Sequence, residues 1–203
     1  MTKVWRKTFP WRDGKTLEVA LWAYDDGHPD TLLNYTNEHF EPILKQVYKK
    51  SLYGGHVKDG LLGVYLEDKM IAGMLLSYVY AWYEDDPKVQ TYHEAVLPEY
   101  QNQGVGTIMF QGLQEYVEHN GSVTLCKIRS LVDKDSADTH AQIGFMEKCG
   151  FFKSQEPEDL EHNEPYIVFS WENPSYDGEA KYRNLDFEAF DNGAYDDPLV
   201  LHI

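Results

Sequence analysis

At 203 residues the chain is long enough for one domain with a substantial core and needs no covalent staples. Its formal net charge of −16 argues against a nucleic-acid binder, whose affinity comes from a basic stripe, and points towards cationic ligands such as polyamines, amino sugars or lysine-rich peptides. No apolar run reaches the roughly 20 residues of a spanning helix, Met1 to Lys7 leads into no signal-peptide core, and Cys126 and Cys149 form no Cys-x-x-Cys pair. These features predict a soluble, cytoplasmic protein with neither a membrane nor a nucleic-acid partner.

The first predicted strand is Thr16 to Tyr24, where Leu17, Val19, Leu21 and Ala23 alternate with Glu18, Ala20, Trp22 and Tyr24. A turn at 25–30 leads into a helix capped near Asp30, with Leu32, Leu33, Phe40, Ile43, Leu44, Val47 and Tyr48 at helical spacing. Pro42 is expected to divide this region into two helices. After a break at 53–56, residues 61–66 and 70–76 flank Glu67-Asp68-Lys69 as a hairpin, the second strand continuing towards Tyr83. Residues 89–97, rich in β-branched and aromatic side chains, form the next strand, stopped by Pro98. Thr107 to His119 is a helix, Ser122 to Arg129 a strand and 139–150 a helix that ends at Gly150. Strands at Phe151-Phe152 and at 166–171 complete the series.

The most informative stretch is Gln101-Asn102-Gln103-Gly104-Val105-Gly106, which follows a strand and opens a helix. The first amides of a helix have no internal partners, and the macrodipole adds partial positive charge there. Gly104 and Gly106 remove the Cβ atoms that would hold a phosphate off the backbone. The spacing is neither a dinucleotide-binding nor a Walker signature, and two glycines at a helix start also serve simply to pack a helix on a sheet.

A second segment, Phe145-Met146-Glu147-Lys148-Cys149-Gly150-Phe151, bears on that choice. With Val96-Leu97-Pro98-Glu99-Tyr100-Gln101-Asn102-Gln103-Gly104-Val105-Gly106, it resembles the GNAT superfamily of acyl-CoA-dependent N-acyltransferases. The first segment is similar to that family's Gln/Arg-x-x-Gly-x-Gly/Ala pyrophosphate loop, the second to its Phe/Leu-Tyr-Glu-Lys-x-Gly-Phe helix end. The resemblance covers roughly residues 16–171. It implies an α/β (α+β) GNAT fold, a central, splayed, mixed β-sheet flanked by helices, with residues 1–171 as the acyltransferase domain.

The resemblance also implies acetyl-CoA as co-substrate, no metal, and direct attack by a primary amine in a ternary complex. The acceptor would be a small-molecule or peptide amine, and a homodimer is compatible. The coenzyme diphosphate would sit on amides of Gln101, Asn102, Gln103, Gly104, Val105, Gly106 and Thr107. The pantetheine arm would run beside Glu94, Ala95 and Val96. Thr139 stands where the family often has an asparagine that contacts this arm. Met146 replaces a tyrosine that many members use to protonate the leaving thiolate, and methionine has no such proton. Water, Tyr92 or Tyr80 would then supply it, or the thiolate would leave unaided. A catalytically silent, coenzyme-binding module is the alternative.

An amine nucleophile must be neutral, so a cationic amine needs a base. Glu94 is the candidate, with Tyr92 on the same strand face by alternation and His93 on the other unless a bulge intervenes. The bland reading of Glu94 is a salt-bridged or solvent-facing carboxylate. His28, His56, His140 and His162 show no zinc spacing, and there is no Gly-x-Ser-x-Gly elbow. Residues 172–203 form an extension with eight acidic side chains against Lys181 and Arg183, yet Tyr182, Phe187, Phe190 and Leu199 make it apolar as well. It is expected to pack on the domain or a partner subunit, with a place across the acceptor entrance as the alternative.

Overall fold

A computed structural model of the chain describes residues 2–23, 29–49, 60–79, 88–120, 125–131, 137–153 and 166–175. Among these residues eight strands form one sheet: β1 Thr2–Pro10, β2 Thr16–Ala23, β3 Gly60–Leu66, β4 Lys69–Val79, β5 Lys88–Val96, β6 Leu125–Leu131, β7 Phe152–Lys153 and β8 Tyr166–Glu172. Their spatial order is β1-β2-β3-β4-β5-β6-β8-β7. All neighbours are antiparallel except β5 and β6, which run parallel, so the sheet is mixed as expected. A parallel neighbour requires a crossover, and α3 Val105–Asn120 supplies it.

β3 is the most apolar strand and is buried from Gly60 to Tyr65, as expected of a central strand covered on both faces. Leu17, Val19 and Leu21 of β2 join Met109, Leu113 and Val117 of α3 in the core. Each such fully buried side chain contributes roughly 1.5–3 kcal/mol relative to exposure. Gly112 lets α3 approach closely, because a Cβ there would fall 2.6 Å from Val19 Cγ1.

The chain is helical from Pro29 to Tyr48, as α1 Pro29–Tyr35, a widened π-helical turn Thr36–Phe40 and α2 Glu41–Tyr48. The region is thus divided into two α-helices as expected, joined by the wide turn, with Pro42 in the first turn of α2. Proline is tolerated in a first turn because its missing N–H is not needed there. α4 Ala137–Lys148 leads to Gly150, whose φ of 83° forms the left-handed end of the helix. Gly150 N–H bonds the Glu147 carbonyl at 3.0 Å and Phe151 N–H the Met146 carbonyl at 3.0 Å, the paired bonds of a Schellman cap.

β1 has no counterpart in the sequence reading. Trp5 and Phe9 alternate with exposed Val4, Arg6 and Thr8, which is the signal that marks it. Of the C-terminal extension, residues 172–175 are described. Asn173 is buried, and its Nδ2 donates to the Val117 carbonyl in the last turn of α3 at 3.1 Å. Residues 176–203 lie outside the described residues, as do residues 80–83, over which the second hairpin strand was expected to continue towards Tyr83.

Candidate active site

The parallel pairing of β5 with β6 ends at Thr91 and Ile128, although β6 continues to pair with β8 as far as Leu131. Among the described residues, β5 keeps only its β4 neighbour from Tyr92 onward, so the sheet opens there. On that other side the register slips: Gly73 faces Ala95 and Leu75 faces Tyr92, two residues of β4 against three steps of β5. The extra residue is a bulge, and His93 within it has a φ of 56°.

The bulge corrects the simple alternation expected for this strand. Glu94 accepts a short hydrogen bond from the Thr91 hydroxyl, a residue of opposite parity, whereas the Tyr92 hydroxyl turns back to Gln90 Oε1 at 2.7 Å. Tyr92 and Glu94 do not share a face. Burial raises the Glu94 pKa above the ordinary carboxylate value, opposed by the Thr91 hydrogen bond and by its own backbone N–H. A carboxylate raised in this way is a better proton acceptor near neutral pH than an exposed one.

A cavity of about 190 Å³ sits beside the bulge. Its walls come from Glu94, Ala95 and Val96 of β5, from Gly106, Met109 and Phe110 of α3, from Gln142, Phe145 and Met146 of α4, and from Tyr48 at the end of α2. Tyr92 is not among them. Tyr48 was read only as a helix-face residue. Its hydroxyl donates to the Glu94 carbonyl through a short bond, and its pKa is pushed up to about 12, first by burial and then by the Glu94 charge. Met146 is 2% exposed, so the position holds thioether and no proton donor. Tyr80 lies outside the described residues, and Thr139 falls in the first turn of α4 with its side chain undescribed.

The loop Gln101–Gly104 adjoins this cavity at Gly106. Among the described residues no backbone carbonyl accepts the amides of Asn102 to Thr107, whereas Ile108 N–H bonds the Gly104 carbonyl at 3.0 Å. Gly104 adopts a φ of 83°, and a Cβ there would meet nothing within 4 Å. A Cβ at Gly106 would crowd Phe145 Cζ at 3.3 Å. Gln101 Nε2 holds the Val96 carbonyl at 2.9 Å and Gln103 Nε2 the Glu99 carbonyl at 2.7 Å, so both glutamines shape the loop through its backbone. Thr107 hydrogen-bonds the Cys149 thiol, whose pKa burial pushes up. An open row of amides, an open sheet edge and an adjoining slot are what an extended coenzyme with a diphosphate needs, and the residues fit it.

A larger hollow of about 610 Å³ lies between α2 and the β3–β4 hairpin. Glu38, Glu67, Asp68 and Glu99 line it against the single lysine Lys69, and none of residues 101–107 does. An acidic depression repels a diphosphate, so size does not select the site.

A family model described as acetyltransferase (GNAT) family matches residues 15–151. A comparison with curated proteins gave no significant match. Among solved structures, the chain is similar to the ribosomal-protein-S18-alanine N-acetyltransferase from Escherichia coli, with 17% identity, TM-score 0.51, and 76% of this chain and 94% of that one covered. It is similar to the GNAT domain of S. lividans PAT, with 12% identity, TM-score 0.54 and coverage of 85% and 99%. Arabidopsis thaliana Naa50, solved in complex with the bisubstrate analogue CoA-Ac-MVNAL, gives 12% identity, TM-score 0.51 and coverage of 75% and 97%. At these identities the structures speak for the fold alone. The family model spans two thirds of the sequence and includes both the loop and the α4 end, and this chain belongs to the acetyltransferase (GNAT) family.

Proposed function

We propose that this protein transfers an acetyl group from acetyl-CoA to a primary amine by direct attack in a ternary complex. The observation that carries the reading is the meeting, at Gly106, of a loop whose amides from Asn102 to Thr107 meet no backbone carbonyl and a cavity lined by Glu94. Amides of Asn102 to Thr107 would hold the diphosphate, the Gln101 N–H being bonded to the Pro98 carbonyl at 3.3 Å, and the opened edge of β5 at Ala95 and Val96 would hold the pantetheine arm. Glu94 would take the proton from the attacking ammonium, directly or through one water. The Tyr48 hydroxyl, in the same cavity as Met146, would deliver a proton to the departing sulfur and recover it from solvent. That placement assigns Tyr48 the part for which Met146 lacks a proton. Tyr92 takes a supporting part on β5 through Gln90.

The acceptor is an amine, and the net charge of −16 favours a cationic one. Two of the similar structures are a ribosomal-protein-S18-alanine N-acetyltransferase and a protein in complex with the bisubstrate analogue CoA-Ac-MVNAL, and we add peptide amines to the panel on that account. The test is thiol release from acetyl-CoA across polyamines, amino sugars, amino acids and peptides, alongside Glu94→Gln. Release that depends on one acceptor class and collapses in the variant supports the reading. Buried Met146 favours a second reading, a silent coenzyme-binding module, which tight CoA binding without thiol release on any amine would support.

A further inference from the structure

The family match starts at residue 15, yet the segment ahead of it reaches the loop proposed to hold coenzyme. β1 and β2 form a hairpin whose last pairs are Phe9 with Leu17 and Pro10 with Thr16. Inside the turn, Trp11 N–H bonds the Lys15 carbonyl at 2.8 Å and Lys15 N–H the Arg12 carbonyl at 3.1 Å. These bonds fix the direction of Trp11. Its indole Nε1–H donates to the Gln103 carbonyl at 2.9 Å, and its ring leans on Tyr100 with centroids 6.4 Å apart.

We infer that Trp11 is a positioning residue for the coenzyme diphosphate, an inference that rests on the acyl-CoA reading of this loop. The Gln103 carbonyl and the Gly104 N–H belong to one planar trans peptide and point in opposite directions. Anchoring the carbonyl on the indole therefore turns the Gly104 N–H away from the hairpin. Glycine at a φ of 83° has the freedom to rotate this peptide, and the indole removes it. Arg12 of the same hairpin brings a charge, its guanidinium 4.7 Å from the Trp11 ring centroid, whereas Lys69 at the start of β4 lies 5.9 Å from the Tyr100 centroid and is paired with Glu99 at 3.9 Å. In a chain of net charge −16 the Arg12 cation, stacked on the ring that holds the Gln103 carbonyl, favours an anion at the loop.

The test uses the full chain and Trp11→Phe, which keeps the ring on Tyr100 and removes the donor. Isothermal titration is expected to show CoA bound roughly five- to tenfold more weakly by the variant, the scale of one lost hydrogen bond. With an accepting amine, KM for acetyl-CoA would rise by the same factor while kcat holds, and KM for S-acetylpantetheine, which has no diphosphate, would not change. Equal CoA affinity in the two proteins, or an equal loss on S-acetylpantetheine, overturns the inference. A second measurement needs no variant: the 15N-labelled indole N–H of Trp11 shifts on CoA titration and stays still with S-acetylpantetheine. No shift while CoA binds also overturns it. Failure of the unsubstituted chain to bind CoA at all overturns both the inference and the acyl-CoA reading beneath it.

Discussion

The Tyr48 hydroxyl donates to the backbone carbonyl of Glu94, tying the end of α2 to the bulge of β5 across 46 residues of sequence. The bond places a proton-bearing oxygen and the candidate base on adjacent parts of one cavity wall. Tyr48→Phe keeps the ring and removes the proton. General acid catalysis is worth about 10²–10⁴-fold, and because a thiolate leaves with modest help the lower end, about 100-fold in kcat, is expected. Steady-state kinetics with unchanged KM for acetyl-CoA would check it. Unaltered kcat would remove Tyr48 from the reaction.

Glu94→Gln is expected to lower kcat about 100-fold or more and to change stability in a pH-dependent way. The folded-state pKa lies above the ordinary 4.5 because of burial. Below that ordinary value the carboxyl is neutral folded or unfolded, and its burial costs nothing electrostatic. As pH rises through the folded value, the ionised group destabilises the folded state. Glutamine carries no charge at any pH. The variant's melting temperature, relative to the parent's, should therefore rise between pH 4 and pH 8. A constant difference across that range would contradict the burial of this charge.

Gly104→Ala puts a Cβ on a residue with a φ of 83°. Space is open around it, so the cost is conformational, about 1–2 kcal/mol. For a chain of this size that corresponds to a fall of roughly 2–8 °C in melting temperature. Relaxation of the strained turn would also swing the loop amides, raising KM for acetyl-CoA. Calorimetry and initial rates test the two effects separately.

Asn173→Ala removes the donor that satisfies the Val117 carbonyl, one of the last four of α3, which have no helical partner. Leaving that buried acceptor bare costs about 1–3 kcal/mol. Urea denaturation should show a lower midpoint with the slope unchanged. A chain stopped after residue 171 should suffer the same loss.

The loop and the α4 cap were legible because their signals are local. Gly104 and Gly150 sit where left-handed φ is required, and the strand and helix around each show in side-chain periodicity. The order and type of most elements followed for the same reason. The bulge at His93 was not legible, since it exists only in the register between β5 and β4. Strict alternation therefore paired Glu94 with Tyr92, when its partner is Thr91. Tyr48 was read as one more helical position because its approach to Glu94 is purely tertiary. Trp11 escaped notice because the charged residues around Trp5 and Phe9 obscured an edge strand with only two inward apolar side chains.

The opening of the sheet after Thr91 has a mechanical consequence. Among the described residues, the four pairs from Lys88–Leu125 to Thr91–Ile128 are the whole seam between a five-stranded leaf and a three-stranded one. Phe110 against Phe151 and Gln114 on the Cys149 carbonyl are braces across it. A molecule laid along the open part of the seam lengthens it, so occupancy couples the two leaves. Hydrogen exchange in the β6–β8–β7 leaf should then slow when the seam is filled, although no atom of that leaf belongs to the acidic or hydroxyl machinery around Glu94.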